Sequence, residues 1–131
     1  MSQENVEAFQ ESVAAVNRGD WETVIRLMDP EVVFIPLRAP VQGDYVGHDA
    51  VRRFVQDTRE TFDVFRCEYP DIRDLGERVL ALGALRIRGR GSGLETEVPS
   101  TIVVSFKAGL MTHFQDFGDP QKALAAAGLS E

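Results

Sequence analysis

The sequence lacks the residues on which several kinds of site depend. Its 131 residues include one cysteine, Cys67, so an internal disulfide framework is excluded. The cysteine and the two histidines form none of the H-x-H, H-E-x-x-H or C-x-x-C spacings typical of metal sites. A Walker loop and a G-x-S-x-G nucleophile elbow are missing as well. We therefore predict a protein that uses neither a metal nor another cofactor.

Long hydrophobic runs are missing too. No stretch approaches the roughly 18 apolar residues of a membrane span. The first ten residues contain neither the basic region nor the apolar region of a secretory signal. The 21 acidic and 14 basic residues give a net charge of −7, which argues against nucleic-acid binding through phosphates. We expect a cytoplasmic protein that binds neither membranes nor nucleic acids.

The residues that are present fit one globular domain. The chain is 44% hydrophobic and 27% charged, which are ordinary values for a soluble domain. No internal repeat and no linker rich in proline, glycine or serine divides it. A single domain over residues 1–131 follows, because two domains would each be too small for a good core.

The N-terminal half predicts three helices and one strand. Apolar residues recur at helical spacing over residues 3–17, and Gly19 can close that helix. Asp20 then caps a short second helix, which Asp29-Pro30 stops. A strand over Glu31–Leu37 and a loop over residues 38–47 precede a third helix from His48 to Thr61.

In the C-terminal half the hydrophobic period changes from 3.6 to two. Short turns separate four predicted strands, at Phe65–Asp74, Val79–Arg90, Leu94–Phe106 and Leu110–Phe117. Short connections make neighbouring strands antiparallel. A short C-terminal helix follows Asp119-Pro120. The fold class is α+β, a curved antiparallel sheet wrapped around three N-terminal helices, and such curvature leaves a cavity between the layers.

Four segments carry a resemblance to a known family. They are VNRGDWETVIRLMDPEVVF at 16–34, YVGHDAVRRFV at 45–55, RIRGRGSGLE at 86–95 and FQDFGDPQKALAAAGL at 114–129. Together with the order of elements, they resemble the bacterial SnoaL-like branch of the nuclear-transport-factor-2-like superfamily. This resemblance implies a cone-shaped domain with a deep apolar pocket, commonly as a homodimer. Members include ketosteroid isomerases, polyketide cyclases, epoxide hydrolases and non-catalytic binding modules, so the fold does not decide the activity.

Two of the family's activities do not fit the residues at the matching positions. The proton-shuttling aspartate of the isomerases corresponds to Ile35, and the groups of their oxyanion hole correspond to Ser12 and Ile102. An isoleucine can neither move a proton nor donate a hydrogen bond to an enolate. The epoxide hydrolases resemble one another in an Asp-Arg-Asp set, whereas this chain has Arg86-Ile87-Arg88.

The last predicted strand supplies the first catalytic candidate. Polyketide cyclases of the SnoaL kind place polar or acidic side chains on this strand, facing the pocket. Strict alternation puts His113, Gln115 and Phe117 on one face and Phe114 and Asp116 on the other. The resemblance implies that the first set faces the pocket, where His113 would titrate near neutral pH. A single histidine on a partly apolar strand also fits a purely structural role.

Arg86 is the second catalytic candidate. It shares a strand face with Leu80 and Leu82, and the resemblance makes that face the pocket side. A buried arginine needs an anionic partner, which could be a carboxylate or enolate of a ligand or an acid of the chain itself. The remaining predicted pocket residues are largely apolar: Val13, Val16, Ile35, Leu37, Tyr45, Phe54, Phe62, Leu82, Ile102, Val104, Gln115 and Phe117.

Two functions fit this pattern. The first is a cofactor-independent isomerase- or cyclase-type enzyme for a small hydrophobic carbonyl compound, in which His113 moves a proton and Arg86 stabilises negative charge. The second is a non-catalytic small-molecule-binding or dimeric scaffold domain. A homodimer is predicted in addition, because alternation places Leu85, Ile87 and Val103 outward, where they would form an exposed apolar patch.

Overall fold

The computed structural model describes residues 2–37 and 44–129, which form helices packed on one sheet. In this part of the chain the helices are α1 (Ser2–Asn17), α2 (Trp21–Arg26), α3 (His48–Thr61) and α4 (Pro120–Ala126). The strands are β1 (Met28–Ile35), β2 (Tyr45–Val46), β3 (Phe62–Asp74), β4 (Arg78–Gly89), β5 (Glu95–Lys107) and β6 (Leu110–Asp116). Within these described ranges, no helix is long and apolar enough to cross a membrane.

Local signals explain the N-terminal helices. Gly19 has a φ of +78°, which ends α1 in the left-handed conformation that glycine adopts readily. The Asp20 carboxylate caps α2, accepting from the backbone N–H and the hydroxyl of Thr23 at 3.2 and 2.6 Å. In α3 one face is buried and the opposite face is charged and exposed, as its 3.6-residue period predicts.

The first strand differs from its predicted bounds. β1 starts at Met28, so Asp29-Pro30 lies inside the strand, and α2 has already ended at Arg26. Residues 38–43 of the predicted loop lie outside the described residues, and its last part contains β2. The boundaries of the later strands move by at most a few residues, as is usual where an element ends gradually.

The strands form one curved sheet in the order β2-β1-β6-β5-β4-β3. The predicted antiparallel pairing of the last four strands is confirmed. The sheet is nevertheless mixed, because β1 runs parallel to β6. This pairing needs a long crossover, and five of the described elements, β2, α3, β3, β4 and β5, separate the two strands in the chain. Alternation within a strand gives no information about that partner.

Both faces of the sheet are covered, although unequally. The inner face packs on α1, α2 and α3 and forms the main core, which includes Phe9, Met28 and Val104. On the outer face, α4 covers a smaller cluster that includes Leu80 and Val103. A strand buried on both faces carries apolar residues at even and odd positions alike. The hydrophobic pattern there does not tell which set faces inward.

A bulge in β3 changes the alternation of the residues that follow Tyr69. Glu68 pairs with Ala84 and Asp71 with Leu82, so Tyr69 and Pro70 together lie opposite Gly83. A β-bulge of this kind bends the strand and redirects a side chain. Tyr69 continues the inward set of Phe65 and Cys67 and is 9% exposed, and after the bulge Ile72 rather than Asp71 packs against the same core.

Candidate functional site

A cavity of about 120 Å³ lies between the three N-terminal helices and the inner face of the sheet. Its wall is almost entirely apolar, and every layer contributes to it. The helices and β1 with its following residues supply Phe9, Val13, Val16, Trp21, Val24, Phe34, Pro36, Leu37 and Phe54. The rest of the sheet supplies Phe62, Phe65, Leu85, Ile87, Val98, Ile102 and Phe114. A concave apolar site with few polar groups is the usual form of a small-molecule pocket.

Six aromatic rings form a continuous belt along this cavity. Successive ring centroids are 4.9 to 6.2 Å apart, and the order of the aromatic belt is Phe62, Phe65, Trp21, Phe54, Phe34, Phe114. Edge-to-face and tilted contacts at these distances stabilise aromatic clusters beyond their area of burial. The belt therefore forms a rigid wall that suits a flat or compact apolar ligand.

The polar side of the cavity is small, and most of it belongs to a hydrogen-bonded group of three residues, which we call the polar corner: Tyr69, Ser100 and Asp116. The Ser100 hydroxyl donates to Asp116 Oδ2 at 2.5 Å, and Tyr69 Oη lies 2.6 Å from Ser100 Oγ. The other carboxylate oxygen, Oδ1, accepts the backbone N–H groups of Thr101 and Gly118 at 3.1 and 2.9 Å. Tyr69 and Asp116 border the cavity, with Ser100 joining them.

The electrostatics of the polar corner follow from its burial. Asp116 is 9% exposed, and among the described residues no lysine or arginine lines the cavity. Burial raises the pKa of the Asp116 carboxyl above its ordinary value, while hydrogen bonds from Ser100, Gly118 and Thr101 oppose that change. Burial likewise raises the pKa of the Tyr69 hydroxyl, and it raises the pKa of the Cys67 thiol to about 12. Cys67 therefore remains a thiol at neutral pH and is a poor nucleophile.

The raised pKa of Asp116 predicts a pH effect on stability. Ionising this carboxyl costs more in the folded than in the unfolded chain. Its contribution to stability is therefore lost as the pH rises from about 3.8 through the folded pKa. Asp116→Asn removes the titration but keeps the side chain's shape. We expect the unfolding free energy of the wild type minus that of the variant to fall with rising pH, as measured by urea denaturation. A difference that stays flat or rises would contradict this assignment.

The structure places part of the predicted pocket at the cavity wall. Val13, Val16, Leu37, Phe54, Phe62 and Ile102 line it. Tyr45 packs against the rings of Phe34 and Phe54, at centroid distances of 6.3 and 5.5 Å, from behind the aromatic belt. Val104 is fully buried in the same core but does not line the cavity.

The predicted orientation of β6 is wrong. Ser105 of β5 pairs with His113, whereas the next residue, Phe106, pairs with Met111. Thr112 is thus an extra residue in β6, and such a bulge reverses the alternation that follows it. Phe114 and Asp116 consequently face the cavity. His113 is exposed, and Gln115 and Phe117 lie on the outer side of the sheet, with Phe117 packed in the outer cluster.

The predicted orientation of β4 is also wrong. Leu85 and Ile87 line the cavity, while Leu82 belongs to the outer cluster under α4. The Arg86 side chain is 54% exposed and lies 3.5 and 3.6 Å from the carboxylates of Glu95 and Glu97. A one-residue shift of strand parity moves a whole set of side chains to the other face. Arg86 therefore does not enter the cavity.

Two further placements follow from the same reversal of faces. Ile35 is opposite Gln115, outside the cavity. Leu85 and Ile87 face inward, and Val103 is covered by the outer cluster. Leu85, Ile87 and Val103 therefore do not form an exposed apolar patch. The homodimer stays a prediction, without support from these residues.

Sequence reasoning missed Tyr69, and it placed Asp116 on the wrong face. A usable signal existed in β3, where Phe65, Cys67 and Tyr69 alternate with the charged residues Arg66 and Glu68. That alternation marks Tyr69 as an inward residue. No comparable signal marks Asp116, because it depends on the bulge at Thr112.

Comparisons with known proteins agree with this architecture. The family model described as SnoaL-like domain matches residues 9–114. A nuclear-transport-factor-2-like protein of unknown function from Burkholderia pseudomallei is 24% identical, with a TM-score of 0.81 over 93% of this chain and 95% of its own. TerC, co-crystallised with polyporic acid, is 20% identical, with a TM-score of 0.80 over 96% and 97%.

A third solved structure, from Shewanella denitrificans, carries the name SnoaL-like polyketide cyclase. It is 18% identical, with a TM-score of 0.75 over 94% of this chain and 95% of its own. Identities this low show the shared fold alone. No curated protein sequence matches the chain significantly.

Proposed function

Because the chain belongs to the SnoaL-like domain family, whose fold suits many activities, we propose a function from the site itself: a cofactor-independent enzyme that moves a proton on a small hydrophobic carbonyl compound. One observation carries the proposal. Asp116 is a buried carboxylate at an apolar cavity, with no cationic side chain among the described lining residues. A carboxylate whose pKa is raised by burial is a stronger base than an exposed one, which suits it to proton transfer.

The proposed step uses Asp116 as the proton acceptor. A C–H bond next to the substrate carbonyl breaks, its proton goes to the carboxylate, and its electron pair forms an enolate on the carbonyl oxygen. Return of the proton to the same or another carbon completes an exchange or an isomerisation. Because the proton is returned, the cycle needs no external oxidant or reductant. The aromatic belt excludes water and holds the apolar part of the substrate.

The solved relatives support an organic ligand in this fold. TerC was crystallised with polyporic acid, and another relative carries the name of a polyketide cyclase. These are properties of those proteins, and at their sequence identities they support the proposal through the shared fold alone.

The experiment that tests the proposal is deuterium exchange in D₂O. Cyclohexanone and 3-cyclohexenone are single-ring carbonyl compounds whose α-hydrogens are observed by NMR. We expect enzyme-dependent exchange or isomerisation, and Asp116→Asn should slow it by roughly 10²- to 10⁴-fold, the range of general acid–base catalysis.

His113→Ala is the matched control, since His113 lies on the same strand with its side chain outside the cavity. It should leave the rate unchanged. Equal rates for the wild type and Asp116→Asn would contradict the role of Asp116 as the base.

A non-catalytic binding domain is the second candidate, and the hydrogen bonds of Asp116 favour it. The chain itself gives this carboxylate three donors, so Asp116 is stabilised without any substrate. A non-catalytic binding domain should bind the same ketones saturably, with no exchange above the uncatalysed rate.

A further inference from the structure

The direction of the hydrogen bonds in the polar corner decides which kind of ligand group can bind to it. Asp116 Oδ1 accepts two backbone N–H groups, so Oδ2 is the oxygen that meets Ser100. When the carboxyl is ionised, the single hydroxyl hydrogen of Ser100 is donated to Oδ2. The 2.6 Å contact between Ser100 and Tyr69 must then be donated by Tyr69, because Ser100 has no second hydrogen.

Both hydroxyl hydrogens of the corner are therefore used inside the protein. What remains toward the cavity are lone pairs, on the carboxylate and on Tyr69 Oη. Ser12, which also lines the cavity, donates its hydroxyl to the Phe9 carbonyl at 2.7 Å and leaves only lone pairs as well. The indole N–H of Trp21 is a donor, but Trp21 is part of the aromatic belt and not of the polar corner.

We propose that the ligand of this cavity has a single compact ring and meets the polar corner through a hydroxyl, as an enol, a phenol or a hydroxy compound does. A ketone oxygen turned toward the corner brings another acceptor to groups that offer acceptors only, so a ketone binds there more weakly and presents its α-hydrogens, not its oxygen, to Asp116. The ring size follows from the volume, since an apolar cavity of roughly 150 Å³ holds one benzene molecule and this one measures about 120 Å³. The inference rests on the proposed function, because it takes the cavity as the ligand site and names the tautomer that binds best.

Asp116→Asn reverses the whole chain of hydrogen bonds. The two backbone N–H groups require an oxygen at the Oδ1 position, so the carboxamide nitrogen must occupy the Oδ2 position. That nitrogen donates to Ser100, Ser100 then donates to Tyr69, and the Tyr69 hydrogen becomes free to point into the cavity. The variant corner is a donor, and it should favour a carbonyl oxygen.

Cyclohexanol and cyclohexanone are the matched probes, because they share one ring and the same number of heavy atoms. Their dissociation constants would be measured at pH 8 by NMR titration for the wild type and Asp116→Asn. We expect the wild type to bind the alcohol about tenfold more tightly, the usual size of a hydrogen bond to a charged group. In the variant, the preference for the alcohol should shrink by about tenfold or more.

Adding Tyr69→Phe to Asp116→Asn separates this inference from a general change in polarity. Without the Tyr69 hydroxyl, the ketone should lose the affinity that it gained in the single variant. The same alcohol-to-ketone ratio in all three proteins would overturn the inference, and so would the absence of binding by either probe. The binding measurements do not depend on turnover. Binding without exchange would reject the proposed enzyme. Exchange without a preference for the alcohol would reject the inference.

Discussion

Gly83→Ala is expected to destabilise the protein by about 3 kcal/mol or more, at the upper end of the cost of overpacking. A Cβ atom at this position would overlap the carbonyl group of Glu68 and lie 2.8 Å from the Tyr69 Cα. These are backbone atoms of the neighbouring strand, so no side-chain rotation relieves the overlap. The β3 bulge would have to move, and Tyr69 with it. Urea denaturation measures the change in the free energy of unfolding.

Gly89→Ala is the matched control, because Gly89 lies in the same strand. A Cβ there would meet Ser92 Oγ at 3.5 Å, an ordinary contact, and the position has no left-handed backbone. We expect its free energy of unfolding to change by less than about 1 kcal/mol, with reduced chain entropy in the unfolded state acting in its favour. If Gly83→Ala were no more harmful than Gly89→Ala, the close approach of β3 and β4 would be disproved.

Phe54→Ala is expected to lower the free energy of unfolding by about 3–5 kcal/mol, as is typical of deleting a buried aromatic ring. Phe54 is 3% exposed, and its ring contacts those of Phe34, Trp21 and Tyr45 at centroid distances of 4.9, 6.1 and 5.5 Å. Removing the ring opens the aromatic belt at its middle and enlarges the cavity. The same substitution should therefore weaken cyclohexanol binding. Urea denaturation and the NMR titration measure the two effects.

Arg53→Ala tests whether the effect belongs to the ring rather than to the helix. Arg53 is the preceding residue of α3, and it is exposed. An exposed substitution to alanine in a helix usually changes stability by less than about 0.5 kcal/mol. Similar losses of unfolding free energy for Arg53→Ala and Phe54→Ala would show that α3 is sensitive throughout. The effect of Phe54→Ala could then not be assigned to the aromatic belt.

The helices were the most predictable part of the fold. The third predicted helix, from His48 to Thr61, has the observed bounds of α3. Asp20 caps α2 as expected, because a cap needs only contacts within a few residues of the chain. The meander of β3 to β6 was predictable for the same reason, since each of its turns is local.

The site was less predictable, and β6 shows why. Alternation correctly separates its residues into two sets, but it assumes an unbroken strand. The bulge at Thr112 arises from pairing with Ser105 and Phe106 of β5, which is a contact between strands. It sends Asp116 inward and leaves His113 in solvent. For β4, α4 covers the outer face, so Leu80 and Leu82 are as apolar as the inward residues Val79 and Ala81.

The sequence by itself indicated the family through its resemblance, and it indicated the α+β class, the order of the main helices and strands, and an apolar cavity between the layers. The fold class and the order of elements follow from local periodicity, caps and turns, which act over a few residues. Only the tertiary structure decided that β1 pairs with β6, which strand faces look inward, and that Tyr69, Ser100 and Asp116 meet. Those outcomes depend on register between distant segments, and a shift of one residue, as at Thr112 or opposite Gly83, exchanges the faces of a strand.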